Sequence, residues 1–359
     1  MAWRWLVALL AQIYASNLPP AEYLRATPDD PVARLIRAGV KVDGLPDLLD
    51  HLGIAADSQA LVFSKTSFQS EKISPRNPRA IYFNDEVAVG WVRGSASMEV
   101  AAVDPRQGVM FYTLAGGRFE RQQVCLKCHQ GAATVGVPGL FVGSVFPDVS
   151  GMPARDGAII TDHRTPFADR WGGWYVNAVR GEQADRANGV ALDPSEPQAL
   201  NSLQNLTSLA GKFDASGYLT PVSDIVALMT FEHQTQAINL MTRVAWESRM
   251  GLPADADLDA LARYLTFADE APLKQPVEGV SSFGRTFAGR GPRDRKGRSL
   301  RDFDLQTRLF RYRVSYMVYS AQFDALPREV RDALWRRIFG ELKDRPDAIE
   351  ILRDTKASI

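Results

Sequence analysis

Between residues 60 and 114 the apolar positions fall in five short runs, at 61–63, 80–83, 87–92, 98–103 and 109–114. Each is rich in β-branched and aromatic residues, and turn material such as Asn84-Asp85 and Gly94-Ser95 separates them, a pattern that predicts a β-meander. Further strands are expected at 140–146, 158–161 and 174–179, and a polar stretch at 181–204 reads as a loop. From Ser223 the period changes. Ile225, Met229, His233, Ala237, Leu240 and Val244 recur at helical spacing, so a helix is predicted to about residue 250 with Ser223 as its N-cap. Other helices are expected at 257–268, 305–321, 328–342 and 347–354. Two short helices are expected within 21–52, with Pro31 in an early turn and a break at 44–46. The fold class is α+β: a β-rich N-terminal half at 17–180, a loop or linker at 181–222, and a mainly helical C-terminal half at 223–359, open to packing on the first as one domain.

Composition narrows the function classes. The 42 basic and 42 acidic side chains of this 359-residue chain cancel, which removes any global attraction to nucleic acid or to an anionic membrane. No apolar run reaches the length of a transmembrane helix. Residues 1–16, MAWRWLVALLAQIYAS, place one positive charge, an apolar run and small residues in the order of a secretory signal peptide, and export to the periplasm is expected. An amphipathic first helix is the alternative.

The chain has only two cysteines, so a disulfide framework is excluded and the pair must be explained together. Cys125-Leu126-Lys127-Cys128-His129 matches the attachment pattern of haem c. Two intervening residues let the thiols reach adjacent vinyl groups, and the next residue is placed to ligate iron. One covalent haem c is therefore expected, bound through Cys125 and Cys128 with His129 on the metal. A thioredoxin-type dithiol wants a helix after the motif, which 130–139 does not resemble, and a structural zinc site wants four ligands.

A sixth ligand decides whether the iron carries electrons or offers an open position. His163, at a strand end in Thr161-Asp162-His163-Arg164, is the first candidate. Met152, in Gly151-Met152-Pro153, is the alternative, and His233, mid-helix beside Glu232, comes third and reads more readily as a core histidine. His51 reads as exposed. The cluster from Arg170 to Tyr175, with Trp171 and Trp174 around Gly172-Gly173, could wall a haem pocket but is expected to be core. The run holding Arg285, Arg290, Arg293, Arg295, Lys296, Arg298 and Arg301 is expected as a surface loop; docking an acidic redox partner or contacting haem propionates are its functional alternatives.

Ser64-Lys65-Thr66-Ser67, the string from Ser74 to Asp85, Trp171-Gly172-Gly173-Trp174-Tyr175 and Glu232-His233-Gln234 resemble large exported bacterial cytochrome c domain-containing proteins, a family with no assigned reaction. Over residues 61–130 alone, Arg76-Asn77-Pro78 followed by Cys-Leu-Lys-Cys-His resembles PAS-like c-type haem sensor domains, from which the long helical half departs. The expected role is a periplasmic monohaem cytochrome exchanging electrons with a redox protein or a small-molecule donor or acceptor. The first alternative is a haem oxidoreductase of peroxidase or oxygenase type, with an open distal site near His163 or Arg164. The second is a haem-based redox or gas sensor.

Overall fold

The computed structural model describes residues 20–155, 157–193, 195–203 and 205–356, so the expected signal peptide at 1–16 lies outside the described residues. The meander closes into a seven-stranded antiparallel sheet with strand order β6-β5-β4-β3-β2-β1-β9. Its strands are β1 (Ala60–Val62), β2 (Arg79–Phe83), β3 (Val87–Trp91), β4 (Ser97–Asp104), β5 (Gly108–Ala115), β6 (Arg118–Arg121) and β9 (Trp174–Tyr175). All five runs of the meander are strands, and Trp174–Tyr175 returns from far along the chain to pair with β1. The strands β7 (Val142–Ser144) and β8 (Ile159–Thr161) form a separate two-stranded ribbon.

Strand alternation divides the sheet into two buried faces. Leu61, Tyr82, Val89, Val100, Met110 and Tyr112 face one core, where they meet Tyr23, Val32, Leu48 and Leu49 from N-terminal helices. Those helices are α1 (Pro20–Arg25), α2 (Pro31–Arg37) and α3 (Gly44–Leu52). Three helices stand where two were expected because residues 26–30 interrupt the first, with Asp30 capping a new start at Pro31, and the Gly44-Leu45-Pro46 stretch opens the last helix rather than breaking one, proline being tolerated in a first turn. Ile81, Phe83, Ala88, Ala101, Val109 and Phe111 face the other core, which is shared with the C-terminal half.

After the CxxCH turn, α4 (Leu126–His129), the main element of that second layer is α5 (Ile225–Arg249), 25 residues long. Its N-cap is Asp224, whose carboxylate accepts from Val226 N; the expected cap, Ser223, instead accepts from Leu61 N with its hydroxyl and so ties the helix start to the sheet. The remaining helices are α6 (Asp255–Leu265), α7 (Phe283–Gly289), α8 (Ala321–Asp324), α9 (Arg328–Glu341) and α10 (Pro346–Thr355). The helix expected at 305–321 is absent. There the Asp304 carboxylate accepts from the backbone N–H groups of Gln306, Thr307 and Arg308 and Leu305 takes a positive φ of 57°, a side-chain-capped turn that competes with helix initiation. Among the described residues no helix is long and apolar enough to cross a membrane.

The basic stretch is pinned to the protein rather than free. Arg295 pairs with Asp354, Lys296 with Glu350, Arg298 with Asp294 and Glu350, and Arg293 with Asp302. Arg301 is buried against Asp85 with its guanidinium over the rings of Phe287 and Tyr316.

Candidate functional site

The turn that carries the cysteines is a single helical turn, with Cys128 N–H and His129 N–H both donating to the Cys125 carbonyl at 3.1 and 2.9 Å. That spacing places positions i, i+3 and i+4 on one side, so Cys125, Cys128 and His129 all line one cavity while Lys127 points outward. The cavity has a volume of about 330 Å³. Its floor is the sheet face formed by Ile81, Ala88, Gly90, Glu99, Ala101 and Phe111; Leu140, Phe141 and Phe231 close its sides, and the 66–68 loop lies at its mouth with Phe68 61% exposed. Both thiols are free, Cys125 half-buried and Cys128 exposed.

The imidazole of His129 is oriented by two contacts. Its ring packs between Phe111 and Phe141, at centroid distances of 5.0 and 5.4 Å. Nδ1 lies 3.0 Å from the Gly139 carbonyl oxygen, and a carbonyl only accepts, so Nδ1 carries the proton and the Nε2 lone pair is left free. Burial, opposed by that hydrogen bond, holds the ring's pKa below the usual histidine range. A neutral imidazole with Nδ1–H on a backbone carbonyl is the form that ligates a metal through Nε2.

The Gly139 carbonyl is itself held from α5. Asn239 brackets the next residue, donating from Nδ2 to the Leu140 carbonyl at 2.7 Å and accepting from Leu140 N–H at Oδ1 at 3.2 Å. A Cβ on Gly139 would stand 2.0 Å from the Asn239 Oδ1, so this approach requires glycine.

Across the floor lies a charged pair. Arg79 reaches diagonally over Gly90 to Glu99, with Nη2 2.5 Å from the carboxylate. A Cβ on Gly90 would lie 2.2 Å from that Nη2, which explains a glycine mid-strand.

Neither distal candidate lines this cavity. Met152 is 48% exposed in the turn closed by Asp148. His163 is buried elsewhere, its Nδ1 2.8 Å from Nδ1 of His233, whose Nε2 lies 2.6 Å from the Ser315 hydroxyl. Its side chain is committed to that cluster because the strand β8 turns it toward α5 and α6, where Tyr264 and Phe267 pack on it. Arg164 holds Asp162 and covers Tyr264. Trp171 and Trp174 are core, with Trp174 Nε1 donating to Gly143 O. His51 is exposed beside Asp47. Sequence reasoning missed Arg79, Glu99 and Asn239; the one signal available was the glycine in strand β3, which marks a close approach.

The residues present fit a covalently attached haem: two free thiols and a neutral imidazole of the ligating tautomer converge on one largely apolar cavity. No protein-family model, no curated protein and no solved structure matches the chain. What is defined is a class: an α+β protein whose CxxCH turn opens onto a cavity between an antiparallel sheet and a long buried helix.

Proposed function

We propose that this chain is an exported monohaem c-type protein whose first role is electron transfer. The observation that supports the reading is the Nδ1–H of His129 donating to Gly139 O, which leaves Nε2 available as a metal ligand on the cavity that both thiols line. Cys125 and Cys128 would anchor the group, His129 would hold its iron, and the carbon walls of Ile81, Ala88, Phe111 and Phe231 would exclude water. The group supplies one-electron chemistry when bound; the chain orients the ligand, sets the surrounding polarity and leaves access through the mouth at Phe68. The resemblance to exported cytochrome c domain-containing proteins supports the same reading and assigns no substrate.

A second reading, a haem protein that takes up a small molecule, is favoured by two observations. The cavity wall carries the Arg79–Glu99 pair, and the two candidate sixth ligands, His163 and Met152, lie outside it.

The experiment is spectroscopy on protein matured in a host with haem c assembly machinery, with the pyridine haemochrome and the oxidised, reduced and carbon monoxide spectra. One c-type haemochrome per chain supports the haem assignment, and its absence overturns it. Low-spin bands unmoved by carbon monoxide favour the carrier; high-spin bands that move favour the second reading.

A further inference from the structure

The attachment of a cofactor at Cys125, Cys128 and His129 leaves one feature of the cavity unexplained, the ion pair built into its wall. Among the described residues that line the cavity, Arg79 and Glu99 are the only charged side chains. Strand register fixes where they stand. Glu99 faces Gly90 on β3 and Thr113 on β5, and two residues further along β4 Ala101 faces Phe111. Glu99 is therefore a diagonal neighbour of Phe111, at roughly 7 Å. The Phe111 ring packs on the His129 ring at 5.0 Å. The Arg79 guanidinium crosses Gly90 to reach the Glu99 carboxylate at 2.5 Å, so cation and anion share the wall that carries the histidine. Their side chains are 21% and 22% exposed, which leaves them less screened by solvent and salt than a surface pair. Both charges reach the imidazole: after burial and the Gly139 bond, the groups that act on its protonation are Arg79, which opposes it, and Glu99, which favours it. Cys125 feels the same two charges. Such a pair is a weak source of stability, because apolar side chains of similar volume would avoid the desolvation it costs.

We propose that Arg79 and Glu99 set the reduction potential of the iron that His129 would hold, Arg79 raising it and Glu99 lowering it. A fixed cation on the wall favours the reduced iron, which carries one positive charge fewer, and a fixed anion favours the oxidised iron. The two residues act through space on a group held by others, so they tune the site and are not catalytic residues. Each offsets the other, and removing either one exposes the full effect of its partner. This inference rests on the haem reading and holds for both of its forms.

The test uses haem-loaded protein, assayed first by pyridine haemochrome and then titrated by spectroelectrochemistry at pH 8, well above the ordinary glutamate value of about 4.3. Arg79→Met should lower the midpoint and Glu99→Gln should raise it. Each shift should be about 59 mV, a tenfold change in the oxidised-to-reduced ratio for a one-electron couple. Arg79→Lys, which keeps a cation on the wall, should stay closer to the wild type than Arg79→Met does. Arg79→Met combined with Glu99→Gln leaves no buried charge without its partner, which protects the fold, and its midpoint should lie between those of the two single variants. Shifts of opposite sign are a result that loosened packing or water entry does not produce, since either would move both single variants the same way. A haem-loaded Arg79→Met or Glu99→Gln protein with the wild-type midpoint, or with a shift in the other direction, overturns the tuning while leaving the haem reading intact. A wild-type chain that carries no haemochrome overturns both.

Discussion

Nδ1 of His163 lies 2.8 Å from Nδ1 of His233, so a single proton is shared between the two imidazoles and one ring must accept from the other. Both rings are buried against Tyr264 and Phe267, and His233 also meets Phe310. Burial pushes His233 down to about 3, and burial together with His233 and the cations Arg164, Arg170 and Arg308 holds His163 well below its usual range. Both stay neutral in the fold, while in the unfolded chain each takes up a proton near pH 6.5. The folded pKa is therefore depressed, and stability falls as pH drops below about 6.5, by up to about 1.4 kcal/mol per pH unit for each ring. His163→Gln should lower the urea midpoint at pH 7 but lose less on going to pH 5 than the wild type does. An equal loss in both proteins would show that the pair does not titrate on unfolding.

Glu232, the neighbour of His233 in sequence, works in the opposite direction. Burial raises its carboxyl to about 7 despite Arg170, whose Nη1 lies 3.4 Å away, and despite the Thr161 hydroxyl that donates to it at 2.6 Å. Its folded pKa lies above the unfolded one near 4.5, so the fold holds the extra proton and stability falls as pH rises from about 4.5 to 7. Glu232→Gln keeps a neutral acceptor for Thr161 and should remove that fall. Its midpoint should change less favourably at low pH and more favourably at high pH than the wild type's, by up to about 1.4 kcal/mol per unit across the window. The measurement is chemical denaturation at pH 5, 6, 7 and 8. With His163 and His233 pulling one way and Glu232 the other, each variant should tilt the profile with its own sign, and tilts of the same sign would refute this account.

The basic stretch carries a third expectation. Arg301 is 5% exposed, is paired with Asp85 and lies 4.5 and 4.4 Å from the ring centroids of Phe287 and Tyr316. Removing it leaves a carboxylate without its cation and two rings without their cover, which should cost about 3 kcal/mol or more. Arg295→Ala, which breaks only an exposed pair with Asp354, should leave the unfolding midpoint where it was. If instead this stretch served mainly to dock a partner, Arg301→Ala would leave stability unchanged.

How far the sequence disclosed these arrangements depended on the range of the interaction. The meander strands were legible because alternation of apolar side chains reports two faces of one sheet, and here both faces are covered. The CxxCH turn was legible because all its chemistry lies within five residues. Strand β6 was missed because Arg118, Phe119, Glu120 and Arg121 form an exposed edge with little apolar signal. The helix expected at 305–321 failed because the periodicity of its apolar residues reports burial, while Asp304 and Leu305 decide the backbone locally. His163 looked like a ligand for the reason that it is a histidine at a strand end after the motif. Sequence order carries no information on which side of α5 that strand end falls. The Arg79–Glu99 pair and the Asn239 clamp join residues from different strands and from a helix about a hundred positions away, and only the fold brings them together.

The Asn239 clamp gives the last prediction. His129 donates to Gly139 O, Gly139 N–H donates back to His129 O at 2.9 Å, and the following residue, Leu140, is gripped at both its N–H and its carbonyl by Asn239. The carbonyl that accepts the imidazole hydrogen bond is thus held by a side chain of α5 as well as by its own loop. A firm Nδ1–H···O=C bond gives the imidazole more anionic character and makes Nε2 a stronger donor, which stabilises the oxidised metal. Asn239→Leu preserves the approximate volume and removes both bonds to Leu140. The Gly139 carbonyl then loosens, the hydrogen bond weakens, and the reduction potential of haem-loaded protein should become more positive, while the haemochrome still reports one covalent group. Asn239→Asp keeps the acceptor for Leu140 N–H and loses the donor, so its potential should fall between the two. A potential identical in wild type and Asn239→Leu, measured by spectroelectrochemistry on protein with unchanged haem content, would mean that the loop's own bonds, Gly139 N–H to His129 O and Val109 N–H to Pro138 O, hold the carbonyl without help from α5.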